Sequence, residues 1–98
     1  MQSENTYMYI FISGREDFLT NPTPEEAQAM QGHFNYSRQL SEAGKVRFMG
    51  GCTDGSYGII VFEADSPEEA EEIYKNDPVV KSGVIKSDFR RFSIAHCS

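Results

Sequence analysis

Two side chains in this 98-residue chain combine a type that can move a proton with a position that could aim it at a ligand, His33 and Asp77. Asp77 draws attention by its place in the stretch SPEEAEEIYKNDPVV, residues 66–80. Ser66 can cap a helix there, Pro67 suits the first helical position, and Glu69 stands where a capping-box acid reaches back. Ala70, Ile73 and Tyr74 form the i, i+3, i+4 stripe of a core-facing helix, and the next position on that stripe is Asp77. An acid there faces the core, and it lies at the helix end whose dipole repels anions. Pro78 biases Asp77 away from helical dihedrals and closes the element. Two readings stay open: Asn-Asp-Pro is simply a turn, or the carboxylate is aimed at a partner.

His33 is one of two histidines; the other, His96, sits near the C-terminal end and reads as a surface residue. On a helix advancing about 100° per residue, His33 lies roughly 70° from the centre of a stripe formed by Ala27, Met30, Phe34 and Leu40. That is the rim of the buried face, where a boundary residue is as natural as a catalyst. An inward acid on a neighbouring helix changes its meaning. A carboxylate that accepts the imidazole Nδ1–H fixes the tautomer and leaves Nε2 as a general base. No Ser or Cys is clearly paired to the imidazole as a nucleophile. The chemistry is therefore proton transfer to or from a small molecule, needing no cofactor.

Other candidates are secondary. Gly50 and Gly51 would let a ligand approach a strand backbone, or would mark a bulge or sheet bend. Ser13 and Tyr9, at or near the end of the first strand, are placed to line a cleft beside the helices and to bind substrate. Arg15, Arg47, Arg90 and Arg91 could clamp a carboxylate, or serve as solvated edge charges. Cys52 and Cys97 have no metal-ligand spacing, and Cys52 reads as a core or hairpin thiol. With a single inward histidine, a zinc or iron site is short of ligands, so no metal is expected.

The elements that must position these residues follow from the hydrophobic pattern. Residues 1–6 are polar and expected to fray. Tyr7–Ser13 is a strand rich in aromatic and β-branched residues, apolar at Tyr7/Tyr9/Phe11 on one face and Met8/Ile10/Ile12 on the other. Residues 14–21 form a polar loop. Thr23-Pro24-Glu25-Glu26-Ala27 starts a helix by the device seen again at Ser66-Pro67-Glu68-Glu69-Ala70, and Gly44 ends it. Val46–Thr53 is a second strand, Asp54-Gly55 a hairpin turn, and Tyr57–Ala64 a third strand, again apolar on both faces. After the second helix, Val79–Gly83 turns the chain, and Ile85–Ala95 is an edge strand of mixed polarity. The order β-α-β-β-α-β is that of two split βαβ units, a ferredoxin-like α+β fold with a four-stranded antiparallel sheet. Right-handed crossovers put the first and third strands at its centre. Both helices cover one face, so the other, still apolar, predicts a homodimer packed sheet to sheet rather than a monomer with an exposed apolar sheet.

Size and charge narrow the partners. One domain spanning residues 1–98 is expected, burying roughly 65% of its unfolded surface. Fifteen acids against nine Lys and Arg give a net charge of −6 and a pI near 4.8. That argues against nucleic acid or an anionic membrane as partner and leaves a small-molecule ligand. The apolar run at residues 7–12 is too short for a signal segment, and the reading is a cytoplasmic protein with reduced thiols.

From His33 onward the chain resembles the YciI-like (YCII-related) family. The resemblance rests on His33 with Leu40, Gly44 and Lys45, then Gly50-Gly51 and Ser66-Pro67-Glu68-Glu69-Ala70. It continues through Asn76-Asp77-Pro78 and Lys81-Ser82-Gly83-Val84. With the first strand it covers nearly the whole chain. The order and spacing of these motifs, not any one of them, carry it. The resemblance implies a dimeric α+β barrel and a histidine–aspartate pair as active site, at positions matching His33 and Asp77. It also implies a kinship to dehydrochlorination of hydroxylated aromatics, although most family members have no assigned reaction. The short hairpin Thr53-Asp54-Gly55-Ser56 lacks the long insertions of some relatives. The expected function is a cofactor-free enzyme performing isomerisation or elimination on a small organic acid or phenol. A non-catalytic small-molecule binding module, or more remotely a small monooxygenase, cofactor-free or haem-dependent, stands as the alternative.

Overall fold

The computed structural model of the chain describes residues 5–14, 18 and 20–96. The elements are β1 (Thr6–Ile12), α1 (Pro24–Glu42), β2 (Val46–Gly51), β3 (Tyr57–Glu63), α2 (Pro67–Asn76), α3 (Pro78–Ser82) and β4 (Lys86–Arg91). Every strand pairing is antiparallel and the order across the sheet is β2-β3-β1-β4. The two strands that are apolar on both faces, β1 and β3, thus occupy the centre of a ferredoxin-like α+β fold.

Local chemistry sets the helix ends. The Glu26 N–H donates to Thr23 Oγ1 at 3.2 Å while the Thr23 N–H donates to the Glu26 carboxylate at 2.9 Å, a complete capping box. The second helix uses the same residues with a shifted partner. The Glu69 N–H donates to Ser66 Oγ, but the Glu69 carboxylate accepts from Asp65 N–H, one residue before the cap. Gly44 follows the end of α1 at φ 78°, a left-handed conformation that suits glycine.

Tyr7 and Tyr9 of β1 and Ile60 and Phe62 of β3 point to the helix side, where they pack with Leu40 of α1 and Ala70 and Ile73 of α2. Burying each large apolar side chain stabilises the fold by about 1.5–3 kcal/mol. The opposite face presents Met8, Ile10, Ile12 and Ile59, all half-buried, around a fully buried Val61, with Phe48 45% exposed at its edge.

Several sequence expectations are corrected. Thr6 begins β1 and is buried, and the Asn5 carbonyl just before it accepts from the Ala64 N–H at 3.1 Å, so the ordered chain starts earlier than expected. Residues 1–4 lie outside the described residues. The buried face of α1 is Ala29, His33, Ser37 and Leu40, so of the expected stripe Leu40 is buried while Ala27, Met30 and Phe34 are not. Ala27 and Phe34 are exposed, because the helix turns its polar histidine and serine inward. Residues 78–82 form a short helix where a turn was expected. The irregularity in β2 falls between Val46 and Phe48, while Gly50 and Gly51 pair regularly with Ile59 and Gly58.

Candidate active site

Asp77 has extended dihedrals, φ −64° and ψ 124°, as a residue before proline prefers. It ends α2 and begins α3, where its Oδ1 accepts from the Val79 N–H at 3.0 Å. The acid that looked misplaced at one helix's C-terminus is the N-cap of the next. Its other oxygen, Oδ2, accepts from the Tyr9 hydroxyl at 2.6 Å and meets His33 Nδ1 at 2.7 Å. The carboxylate is wholly shielded from solvent, and three donors satisfy it. A buried carboxylate stripped of its partners is costly, which ties α1, α3 and β1 to one point.

Each partner comes from a different element. His33 projects from the middle of α1, 6% exposed. Its ring meets the edge of Phe11 from β1 at 4.9 Å between centroids, with the planes at 79°. Gly32 and Pro78, the neighbours of His33 and Asp77, touch: a Cβ on Gly32 would lie 2.8 Å from Pro78 Cβ. Tyr9 is held protonated. Burial first, and the Asp77 charge second, push its hydroxyl far above the ordinary value near 10. Tyr36 is pushed up as well, by burial and then by Asp77. Because the Tyr9 hydroxyl must donate, Oδ2 is left as an acceptor for His33 Nδ1–H. In a neutral imidazole this arrangement puts the proton on Nδ1 and makes Nε2 the acceptor.

The atom His33 can present elsewhere is therefore Nε2, and His33 lines a cavity of about 290 Å³ between α1 and the β2–β3 end of the sheet. Its walls are largely apolar: Phe11, Phe18, Met30, Phe34, Met49 and Ile60. Phe34 and Tyr57, each 55% exposed, stand among the lining residues nearest solvent. The floor depends on small residues. Gly51 and Gly58 face each other across β2 and β3, and a Cβ on Gly58 would overlap the Phe11 ring. A base in an apolar cleft meets a ligand proton with little competition from water.

The structure brings His33 and Asp77 together, as the sequence suggested, though His33 sits at the centre of the buried face and not on its rim. Gly50 and Gly51 line the cavity. Tyr9 and Ser13 do not. Tyr9 is 0% exposed beneath the pair, so it positions Asp77 and cannot touch a ligand. Ser13 follows β1, where its N–H donates to the Ser56 carbonyl at 3.0 Å. Cys52 is exposed on the hairpin side of the cavity, not in the core. Arg47 pairs with Glu63 at 2.6 Å and Arg90 with Asp88, while the Arg91 guanidinium lies over the Tyr7 ring. Arg15 and Cys97 lie outside the described residues. Among the described residues no group of three or more His, Cys, Asp or Glu could hold a metal ion. Sequence reasoning missed Ser37 and the inward edge of Phe11.

A ferredoxin-like α+β fold with a buried histidine–aspartate–tyrosine cluster beside an apolar cavity defines the class. The chain belongs to the family of the YCII-related domain, whose model matches residues 6–88. It is 31% identical over 77 residues to "Uncharacterized protein YjpA" of Bacillus subtilis (strain 168), covering 79% of this chain and 84% of that protein. Among solved structures it is similar to 5-chloro-2-hydroxyhydroquinone dehydrochlorinase (TftG) from Burkholderia phenoliruptrix AC1100, in complex with 2,5-dihydroxybenzoquinone. The TM-score is 0.62 at 19% identity, with 89% of this chain and 93% of that chain covered. This likeness establishes the shared fold. No helix among the described residues is long and apolar enough to cross a membrane.

Proposed function

We propose that the protein is a cofactor-free enzyme that moves protons on a small organic acid or phenol, with His33 as base and acid and Asp77 as its orienter. The observation that carries the reading is the 2.7 Å contact of His33 Nδ1 with a fully buried Asp77, on a histidine that lines an apolar cavity. In the forward step Nε2 takes a proton from the ligand. In an isomerisation the imidazolium returns that proton to another atom. In an elimination the freed electron pair forms a double bond and the leaving group departs with its own bonding pair. The dehydrochlorinase neighbour lends the elimination a precedent on this fold. The test compares wild type with His33→Ala on a panel of hydroxylated and chlorinated aromatics. Lost turnover with retained ligand affinity supports the reading, and turnover equal to wild type refutes it. A binding module without turnover would keep affinity and show no reaction in either protein.

We also propose that the apolar sheet face of Met8, Ile10, Ile12 and Ile59 is covered by a second copy of the chain. A contiguous apolar face on central strands supports this reading. Sedimentation equilibrium that returns a monomer at micromolar concentration would refute it.

A further inference from the structure

We infer that Ser37 is the second polar contact for the ligand, so the cavity selects a flat ring with hydrogen-bonding groups at opposite ends. The inference rests on the reading of His33 as the proton-transfer residue. Ser37 is 4% exposed, yet it lines the same cavity as His33. Residues four apart lie on one face of a helix, separated by about 6 Å along its axis. Its hydroxyl donates weakly, at 3.3 Å, to the Phe34 carbonyl of the preceding turn. That bond leaves the oxygen's lone pairs as acceptors in a wall otherwise built mainly from Phe, Met and Ile side chains. A buried serine in the middle of a helix carries no packing advantage over alanine and lowers helix propensity. Its acceptor lone pairs match a ligand O–H.

The two buried polar side chains of the lining thus divide the work. His33 Nε2 receives the proton that moves, and Ser37 Oγ accepts a hydrogen bond from a hydroxyl that stays protonated. One helical turn separates the two residues, so a ligand that meets both side chains carries polar groups at two separate points of its ring. A cavity of roughly 150 Å³ suffices for benzene, so about 290 Å³ accommodates a substituted ring with room for its polar ends. The favoured ligand class is a ring bearing hydroxyls para to each other, over one with a single hydroxyl.

The experiment titrates wild type and Ser37→Ala with hydroquinone and with 4-methylphenol, under argon, following the NMR shifts of cavity residues. The two probes share a shape and differ in one hydroxyl. The expected result is that Ser37→Ala lowers the preference for hydroquinone over 4-methylphenol by roughly tenfold, the worth of one hydrogen bond. Affinity for 4-methylphenol should change little. An unchanged preference overturns the role of Ser37 and leaves the His33 reading standing, since both phenols still bind. Failure of wild type to bind either probe overturns the ligand class itself. Failure of the His33 reading appears separately, as unaltered turnover in His33→Ala. A melting temperature within a few degrees of wild type shows that Ser37→Ala keeps the fold.

Discussion

Gly32→Ala puts the positioning of the histidine–aspartate pair under direct strain. Glycine within a helix costs about 1 kcal/mol relative to alanine, so an ordinary position would gain stability from the change. Here the new Cβ would lie 2.8 Å from Pro78 Cβ and 3.0 Å from Pro78 Cγ, where ordinary contact begins at 3.4 Å. The helices α1 and α3 must then part by about 0.6 Å if neither side chain can yield. Transmitted to the adjacent residues, that lengthens the 2.7 Å His33–Asp77 contact to about 3.3 Å, past the useful range for N–H···O. Overpacking costs about 1–3 kcal/mol and the weakened charge-assisted bond about 1.5–3 kcal/mol, against the gain of about 1 in propensity. The expected net loss is about 3 kcal/mol, read from urea unfolding at neutral pH. A double-mutant cycle with Pro78→Gly assigns the cause. The cost of Gly32→Ala should largely vanish when Pro78 is glycine, whose side chain offers nothing to strike. A stability gain of about 1 kcal/mol from Gly32→Ala alone, or strict additivity with Pro78→Gly, would refute the reasoning.

Tyr9→Phe removes one of three donors from a buried carboxylate and should cost about 1–3 kcal/mol at neutral pH. The same residue governs the alkaline limb. The folded state keeps the Tyr9 proton at a pH where the unfolded chain has released it, so stability is complete below about pH 10 and declines above it. Urea unfolding from pH 8 to 11 should show that decline in wild type and a shallower one in Tyr9→Phe. Gly58→Ala drives a Cβ into the Phe11 ring, which leans edge-on against His33. It should weaken binding of phenols in the cavity at least tenfold, measured by NMR titration, and a ligand affinity equal to wild type would contradict the packing described.

The elements were legible in the sequence because their signals are local. The two Pro-Glu-Glu-Ala starts, Gly44 and the Asp54-Gly55 turn each act over a few residues, and the strand order follows from the chirality of the crossovers. The face of α1 was not legible, for a physical reason. Met30 and Phe34 line a cavity, whereas His33 and Ser37 are turned inward, His33 onto the buried Asp77 carboxylate. Hydrophobic periodicity treats a cavity wall as core and a site residue as surface, so the stripe rotated away from the histidine. Asp77 escaped that error because its oddity was visible along the chain, as an acid on an apolar stripe before a proline. The short helix after it was hidden, since five residues are too few for a periodicity to appear. Tyr9 was placed on the right face but at the wrong depth. Sequence alternation gives the side of a sheet and not the distance from solvent.

The central claim is that Asp77 holds His33 with its proton on Nδ1 and a free, basic Nε2 toward the cavity. Long-range ¹⁵N–¹H correlation spectra of the imidazole rings test it most directly. In spectra of the neutral rings, His33 should appear as the Nδ1–H tautomer in wild type and lose that bias in Asp77→Asn, while His96 stays the same in both. An Nε2–H tautomer for His33 in wild type, or an identical His33 spectrum in Asp77→Asn, would contradict the account.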